Sequence, residues 1–200
     1  MIINLVAEGL MEEVVASRLL PYSGHVLGTV YGRKGYTYIR QKAAKFCHYA
    51  TDLSGVLVLT DFRDSGAICV PDALKEYLYD TLPNPPKTFL YRFAVNELES
   101  WLIADRDGLA KYLRIPVSQV PLHPERETNP KRKLADLARL SKKKAIRDGI
   151  APQPSHRSIV GPEYVSLMNE YIIHHWNIDA ALNVAPSLER CVRRLCELNK

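Results

Sequence analysis

Apolar and polar residues along the first half of the chain fall into blocks that predict strands and helices in alternation. Residues 55–60 form a short apolar run, a pattern typical of a strand buried on both faces of a parallel sheet. Strands of similar character are predicted over residues 2–7, 25–31 and 88–95. Helices are predicted over residues 10–20, 38–48, 70–82 and 97–113. This alternation predicts an α/β fold, a mostly parallel sheet with helices on both faces.

The pattern changes after Arg114. Prolines interrupt a connection of low apolar content over residues 115–129. Further helices are predicted over residues 130–147, 162–175 and 186–198, and the first of them is strongly basic. We therefore predict an α/β domain over residues 1–114. Residues 115–200 are predicted to form a proline-broken connection and a helical appendage packed on that domain.

The bulk composition is that of an ordinary globular chain, with 200 residues of which 46% are apolar and 24% charged. No apolar run approaches the roughly 20 residues that a membrane-spanning helix needs. The N-terminus lacks the basic region of a signal peptide. The four cysteines include no C-x-x-C pair and are interpreted as free thiols of a reduced compartment. A cytoplasmic protein without membrane contact is expected.

The net charge of +5 is modest, but the basic residues are concentrated in two tracts. No acidic residue lies between Glu13 and Asp52, and Asp136 is the only one between Asn129 and Arg147. Basic tracts of this kind favour a polyanionic partner such as nucleic acid, although a solvated helix face is the alternative. The residues expected to contact nucleic acid are Arg33, Lys34, Arg40, Arg63, Lys131, Arg132 and Lys133.

Acidic residues follow two of the predicted strands. Glu8 comes directly after the first strand, and Asp61 and Asp64 follow the strand over residues 55–60. Open α/β sheets bind ligands at the carboxyl ends of their strands, so these carboxylates converge if the two strands are neighbours. Carboxylate oxygens suit Mg²⁺ (or Mn²⁺), which keeps several waters beside one or two carboxylates. Near a phosphodiester, such a site activates water for hydrolysis.

Other charged residues extend the candidate site. Glu12 can face the same edge, although an acid in a first helical turn also complements the helix dipole. Glu97 and Glu99 follow the fourth strand, and Asn96 is a candidate cap for the helix that they begin. Because residues two apart on a helix point in different directions, Glu97 and Glu99 are not expected to bind the same metal ion. Lys131 can stabilise transition-state charge or bind phosphate. The predicted metal ligands are Glu8, Asp61, Asp64, Glu97 and Glu99, and the predicted catalytic residues are Glu8, Glu12, Asp61, Asp64 and Lys131.

Several of these motifs resemble the Toprim fold. The pattern is Glu8-Gly9 after a strand, an acid four residues later, and a later strand that ends in Asp61. Topoisomerases, bacterial primases, recombination mediators and overcoming-lysogenization-defect nucleases share that fold. Residues 93–105 (F-A-V-N-E-L-E-S-W-L-I-A-D), with the later P-E and N-P-K elements at residues 124–125 and 129–131, are similar to small Toprim-like proteins of bacterial defence loci, often encoded beside ABC-type ATPases.

The resemblance implies roles for individual residues. Glu8 matches the principal Toprim glutamate, Glu12 the second glutamate of the overcoming-lysogenization-defect nucleases, and Asp61 the first aspartate of the D-x-D motif. The chain departs from that motif because Arg63 replaces its second acid, and Asp64 lies one position further. The resemblance implies a Mg²⁺-dependent nuclease, the effector of an anti-phage defence system that works with an ABC-type ATPase partner.

Two other functions remain open. A Toprim-like sheet without catalysis could bind nucleic acid and assemble a defence or recombination complex, and Arg63 in place of an acid favours this alternative. A receiver-like domain would use Asp61 as a phosphate acceptor, but it requires an acidic pair after the first strand, where this chain has Glu8 alone. The G-x-x-x-x-G-K-[ST] motif is absent, so ATP hydrolysis by this chain is not expected.

Overall fold

The computed structural model describes residues 1–80, 82–152 and 158–199, which form two compact units. The first unit comprises residues 1–95 and 190–200, and the second comprises residues 96–189. The unit boundary therefore follows Val95, whereas the sequence predicts a boundary after Arg114. The difference arises because the helix that follows residue 96 contacts later helices of the second unit.

The first unit contains a sheet of four parallel strands in the order β2-β1-β3-β4. The strands are β1 (Ile2–Ala7), β2 (Val26–Gly32), β3 (Ser54–Asp61) and β4 (Phe89–Ala94). The predicted α/β fold with a parallel sheet is confirmed. Each strand lies within one residue of its predicted bounds because the short apolar runs coincide with the buried part of the sheet.

The helices of the described chain are numbered in sequence order. They are α1 (Leu10–Tyr22), α2 (Tyr36–Phe46), α3 (Val70–Leu74), α4 (Glu99–Ala104), α5 (Arg106–Leu113), α6 (Pro130–Arg139), α7 (Lys144–Ile150), α8 (Tyr164–His174), α9 (Ile178–Leu182) and α10 (Pro186–Glu197). A π-helical turn over Lys75–Tyr79 continues α3, and 3₁₀ turns occupy Cys47–Tyr49, Arg63–Ser65, Val117–Gln119 and Pro124–Arg126. No helix in residues 1–80, 82–152 and 158–199 is both long and apolar enough to cross a membrane.

Apolar side chains cover both faces of the sheet. On one face, Val6, Val58 and Phe93 belong to a buried cluster that includes residues of α2, α3 and the π-helical turn. Leu5 and Leu57, which alternate with these positions and point to the opposite face, are also fully buried. Burial on both faces explains why β1 and β3 are continuous apolar runs and not alternating sequences.

Gly32 allows β2 to end against β1. Its φ of +95° lies in the left-handed region, and a Cβ at this position would lie 2.4 Å from the carbonyl oxygen of Ala7. The next residue, Arg33, donates its backbone N–H to that same oxygen at 2.8 Å. A side chain at position 32 would therefore disturb the end of β1, which leads directly into Glu8.

Several predicted helices differ from those observed. The helix predicted over residues 10–20 continues through Pro21 and ends at Tyr22. The helix predicted over residues 97–113 is two helices, α4 and α5, which are separated at Asp105. The single basic helix predicted over residues 130–147 is likewise divided into α6 and α7.

Candidate functional site

The carboxyl ends of β1 and β3 form the first candidate site. The two strands are direct neighbours, with Ala7 opposite Leu59, so the condition for convergence of their acidic ends is met. Glu8 Oε1 accepts a hydrogen bond from the backbone N–H of Asp61 at 3.1 Å. Because β2 lies on one side of β1 and β3 on the other, this edge is a topological switch point, where open α/β sheets bind ligands. We call the edge formed by Glu8 and Asp61 the carboxyl edge.

Glu12 supports the turn that follows Glu8. Its Oε2 accepts a hydrogen bond from the backbone N–H of Gly9 at 3.0 Å, as the distal acid of a capping box does. The Glu12 carboxylate therefore lies beside the residue that follows Glu8 and helps to fix the start of α1. This contact is a structural role for Glu12, and its catalytic role stays a prediction.

Arg63 and Asp64 lie beyond the end of β3. The strand ends at Asp61, and the chain then enters a 3₁₀ turn in which the side chains of Arg63 and Asp64 are both exposed. The backbone N–H of Phe62 donates to the carbonyl oxygen of Ala94 at 2.9 Å, which extends the pairing of β3 with β4 up to this turn. Arg63, which replaces the second acid of a D-x-D motif, and Asp64, one position further, are thus presented to solvent just after the carboxyl edge.

Buried hydroxyl groups near Glu8 were not predicted from the sequence. Burial raises the pKa of Tyr91 to about 12; the neighbouring Thr60 hydroxyl lowers it in part, and the charge of Glu8 raises it. Within the described residues, neither the Tyr91 hydroxyl nor the Thr60 hydroxyl makes a hydrogen bond of acceptable geometry. Burial also raises the pKa of Tyr36, whose hydroxyl is likewise unpartnered in the described chain. Of these two tyrosines, Tyr91 is the one whose hydroxyl lies within electrostatic reach of Glu8.

Three of the predicted nucleic-acid contacts of the first unit have intramolecular partners, and one of them, Lys34, lies with its Nζ 5.2 Å from the centre of the Tyr38 ring. Arg33 forms an ion pair with Glu13, and Arg40 forms one with Glu76. The Arg40 guanidinium also lies 4.6 Å from the centre of the Tyr77 ring. Exposed ion pairs of this kind contribute only about 0–1 kcal/mol, so a phosphate can compete for these cations.

Glu97, Glu99 and Lys131 converge in the second unit. Glu97 Oε2 accepts a hydrogen bond from the backbone N–H of Lys131 at 2.9 Å. Glu99 Oε1 lies 3.6 Å from Lys131 Nζ and accepts a hydrogen bond from the Tyr164 hydroxyl at 2.7 Å. The Glu99 residue is only 3% exposed, whereas 42% of the Lys131 side chain is exposed. The two glutamates thus contact different atoms of one lysine.

The contact of Glu97 also caps helix α6. The N-terminus of this helix presents unpaired backbone N–H groups, and Glu97 accepts one of them while Asn129 accepts that of Arg132 at 2.9 Å. The sequence suggested Asn96 as the cap of the helix that follows it, but Asn96 does not cap that helix. Its side-chain amide donates to the carbonyl oxygens of Glu125 and Glu127 at 3.2 and 2.8 Å.

Glu125 is a further acidic residue that the sequence did not single out for a role. Its Oε1 accepts hydrogen bonds from the backbone N–H and the hydroxyl of Ser187 at 2.7 and 2.6 Å. The Trp101 indole N–H donates to that hydroxyl at 2.7 Å. The P-E element is therefore a packing contact of the second unit, and the only signal for it in the sequence was its place in the resemblance.

The chemistry of the carboxyl edge fits a hard cation in part. Among the residues that the structure describes, no group of three or more His, Cys, Asp or Glu side chains is arranged to hold a metal ion. Mg²⁺ does not require such a cage, since it is bound by one or two carboxylates, waters and substrate phosphates. Glu8 and Asp61 supply oxygen donors of this type on adjacent strands. Glu97 and Glu99 already bond Lys131 and Tyr164, which makes them poorer candidates.

Comparison with known proteins does not assign a family. No family model, no curated protein and no solved structure matches the chain. The Toprim resemblance therefore stays a prediction.

Proposed function

We propose that this protein is a metal-dependent nuclease that hydrolyses phosphodiesters of DNA or RNA at the carboxyl edge. The observation that supports this function best is the hydrogen bond from the Asp61 N–H to Glu8 Oε1, because it brings two acidic residues together at a switch point of a parallel sheet. Glu8 and Asp61 would hold Mg²⁺ (or Mn²⁺). When bound there, the ion would polarise a phosphoryl oxygen and lower the pKa of a water.

The neighbouring residues orient the Glu8 carboxylate. The Asp61 N–H fixes one oxygen of Glu8, and Glu12 fixes the backbone at Gly9, so the Glu8 side chain is held before substrate arrives. Such preorganisation lowers the cost of stabilising charge in the transition state. The exposed Arg63 supplies positive charge beside the edge, where it contacts a substrate phosphate. Asp64 lies one residue further along the same exposed turn.

The substrate is held mainly through its phosphates. Arg33, Lys34 and Arg40 provide cations in the first unit, and Lys131, Arg132 and Lys133 provide cations in the second. Binding through such contacts releases counterions and weakens steeply with salt. We further propose, from the resemblance alone, that the protein acts in the cytoplasm as the effector of an anti-phage defence system, with an ABC-type ATPase partner.

The test is cleavage of supercoiled plasmid and of RNA by the purified protein, with Mg²⁺ or Mn²⁺ and with EDTA. Glu8→Gln and Asp61→Asn are expected to lower the cleavage rate on the order of 100-fold, the scale of losing a group that stabilises transition-state charge. The melting temperature of Glu8→Gln should change little, because the glutamine side chain keeps an oxygen that can accept the Asp61 N–H.

Asp52→Asn is the matched control, since Asp52 is an exposed acid in the loop before β3, at the opposite end of that strand from Asp61. This variant should cleave like the wild-type protein. Undiminished cleavage by both the Glu8 and the Asp61 variants would contradict the proposed function.

A non-catalytic nucleic-acid-binding or assembly module is the second candidate. It is favoured by the exposed Arg63 after β3 and by the lack of a three-ligand metal group within the described chain. This function predicts salt-sensitive binding of nucleic acid that Glu8→Gln leaves unchanged, together with no cleavage in any divalent metal.

A further inference from the structure

A positively charged groove lies along β4 in the first unit. It has a volume of about 290 Å³, and residues just before β4 form part of its wall. Three basic side chains line it, and Tyr79 and Asn84 add neutral polar groups. Among the described residues that line this groove there is no carboxylate. We call it the β4 groove, and its basic residues are Lys87, Arg92 and Arg194.

Arg92 is the unusual member of this set. The residue is half-buried, its Nε atom is fully buried, and Nε has no hydrogen-bond partner within the described chain. Burial is the main cause that lowers the pKa of Arg92. A guanidinium nitrogen removed from water without a hydrogen-bond partner is costly, and a partly buried guanidinium is stabilised when an anion pairs with it.

The neighbouring residues do not supply that anion. Glu197, whose charge reaches Arg92, forms an ion pair with Arg194. The Cys191 thiol also lies near Arg92, but burial raises its pKa to about 12, so it is uncharged near neutral pH. The positive charge of Arg92 is therefore available to an anion that enters the groove from solvent.

We propose that the β4 groove binds a phosphomonoester group, carried by a small molecule or by a nucleic-acid terminus. The guanidinium of Arg92 presents parallel N–H donors that match two phosphate oxygens. Lys87 is exposed and attracts the anion, and Arg194 can exchange its exposed ion pair with Glu197 for the anion. Tyr79 and Asn84 can bond the remaining oxygens. A phosphomonoester is close to a dianion near neutral pH, which suits a groove with more than one cation better than a carboxylate does.

The first experiment is calorimetric titration of the full chain with inorganic phosphate at constant ionic strength. Wild-type protein should bind phosphate, and Arg92→Met should weaken that binding at least tenfold. Lys87→Gln changes an exposed residue and should weaken binding by a smaller factor. Arg139→Met is the matched control, because Arg139 is an exposed arginine of α6 that pairs with Asp136 and lies in the second unit. Equal affinity of the wild-type and Arg92→Met proteins would overturn the proposal.

A second measurement separates ligand binding from a structural role of Arg92. In phosphate-free buffer, Arg92→Met should melt at the wild-type temperature or above it, because it replaces a half-buried guanidinium, whose Nε has no partner in the described chain, with an apolar side chain of similar length. Saturating phosphate should raise the melting temperature of the wild-type protein by several degrees and leave that of Arg92→Met unchanged. A large fall in the melting temperature of Arg92→Met without phosphate would assign Arg92 to an internal contact and overturn the proposal.

The kind of molecule that carries the phosphate group is identified by comparing the binding of two dinucleotides. One has a 5′-phosphate and the other has a 5′-hydroxyl. Preferential binding of the phosphorylated dinucleotide, lost in Arg92→Met, would assign the groove to nucleic-acid ends. Arg92-dependent binding of inorganic phosphate alone would assign it to a small phosphate compound. Both results support the proposal, whereas acetate binding as tightly as phosphate would contradict it.

Discussion

Two buried tyrosines have opposite hydrogen-bonding situations. The Tyr171 hydroxyl donates to Asp105 Oδ2 at 3.0 Å, and burial, together with the charge of Asp105, raises the pKa of Tyr171. The Tyr91 hydroxyl is also buried but has no hydrogen-bond partner in the described part of the first unit. A buried hydroxyl that makes no hydrogen bond costs roughly 1–3 kcal/mol of desolvation free energy.

The contrast predicts opposite effects of the same substitution. Tyr171→Phe should lower the free energy of unfolding by about 1–3 kcal/mol, because it leaves a buried carboxylate short of a donor. Tyr91→Phe should leave that free energy unchanged or raise it by up to about 1 kcal/mol, because only an unsatisfied group is removed. Urea unfolding of both variants measures the difference. A loss of stability in Tyr91→Phe equal to that in Tyr171→Phe would show that the Tyr91 hydroxyl is satisfied.

Asp105 shows what a sequence pattern does not indicate about a single residue. It lies inside the one helix predicted over residues 97–113, but the structure separates α4 from α5 there, and Asp105 is only 1% exposed. Its carboxylate accepts hydrogen bonds from the backbone N–H groups of Gly108 and Asn177 at 3.1 and 2.8 Å, besides that of Tyr171. Partners 72 positions away in sequence leave no local pattern, so only the folded chain reveals them.

At the scale of elements, Asp105 separates α4 from α5 and joins them to the start of α9. Asp105→Ala should lower the free energy of unfolding by about 3 kcal/mol or more, since it removes a helix cap and two further bonds to a buried carboxylate. Asn129 caps α6 by accepting one backbone N–H, so Asn129→Ala should lower the free energy of unfolding by about 1 kcal/mol. Denaturant unfolding of the two variants provides the comparison. Equal losses of unfolding free energy in the two variants would contradict the proposal that Asp105 connects α4 and α5 to α9.

Strands were predicted more closely than helices, for a physical reason. The strands of the sheet are short apolar runs, and their ends coincide with the return of polar residues. A helix can end wherever a distant group satisfies its terminal backbone, as Glu97 does for α6 and Asp105 does for α5. The sequence therefore indicated that helices exist in these regions but not where α4, α6 and α7 end.

For the molecule as a whole, a buried thiol with a raised pKa makes the free energy of unfolding depend on pH in the alkaline range. Burial raises the pKa of Cys191 from 9.0 to about 12, so the native state holds this proton more tightly than the unfolded chain does. The resulting stabilisation is complete below pH 9 and is lost as the pH rises from 9 to 12. For one such group the loss is about 1.4 kcal/mol for each pH unit.

The measurement is the free energy of unfolding at pH 8 and at pH 11, by urea under reducing conditions. Cys191→Ala should lose less stability over this interval than the wild-type protein, whatever its stability at pH 8. Cys196→Ala, which changes an exposed thiol of the same helix, is the control and should follow the wild-type curve. Parallel curves for all of these proteins would show that Cys191 does not contribute to the alkaline loss.

The division of the molecule into two units could be predicted from the sequence only in part. The change of composition after Arg114 suggested a boundary there, but the boundary follows Val95, and residues 190–200 belong to the first unit. Helix α4 contacts α6 and α9, so it belongs with the helices that follow it. Composition reports where proline and charge accumulate, whereas a unit is defined by which apolar faces meet.

Local sequence patterns were sufficient to predict the parallel α/β sheet and to place Glu8 and Asp61 at strand ends, because the alternation of apolar runs and helical periodicity is visible over a few neighbouring residues. The folded chain was needed to show that β1 and β3 are adjacent, that Glu97 and Glu99 meet Lys131, and that the Nε of Arg92 is buried near an uncharged thiol. These are contacts between residues distant in the chain, and their energies depend on desolvation and pairing, which no local pattern of residues encodes.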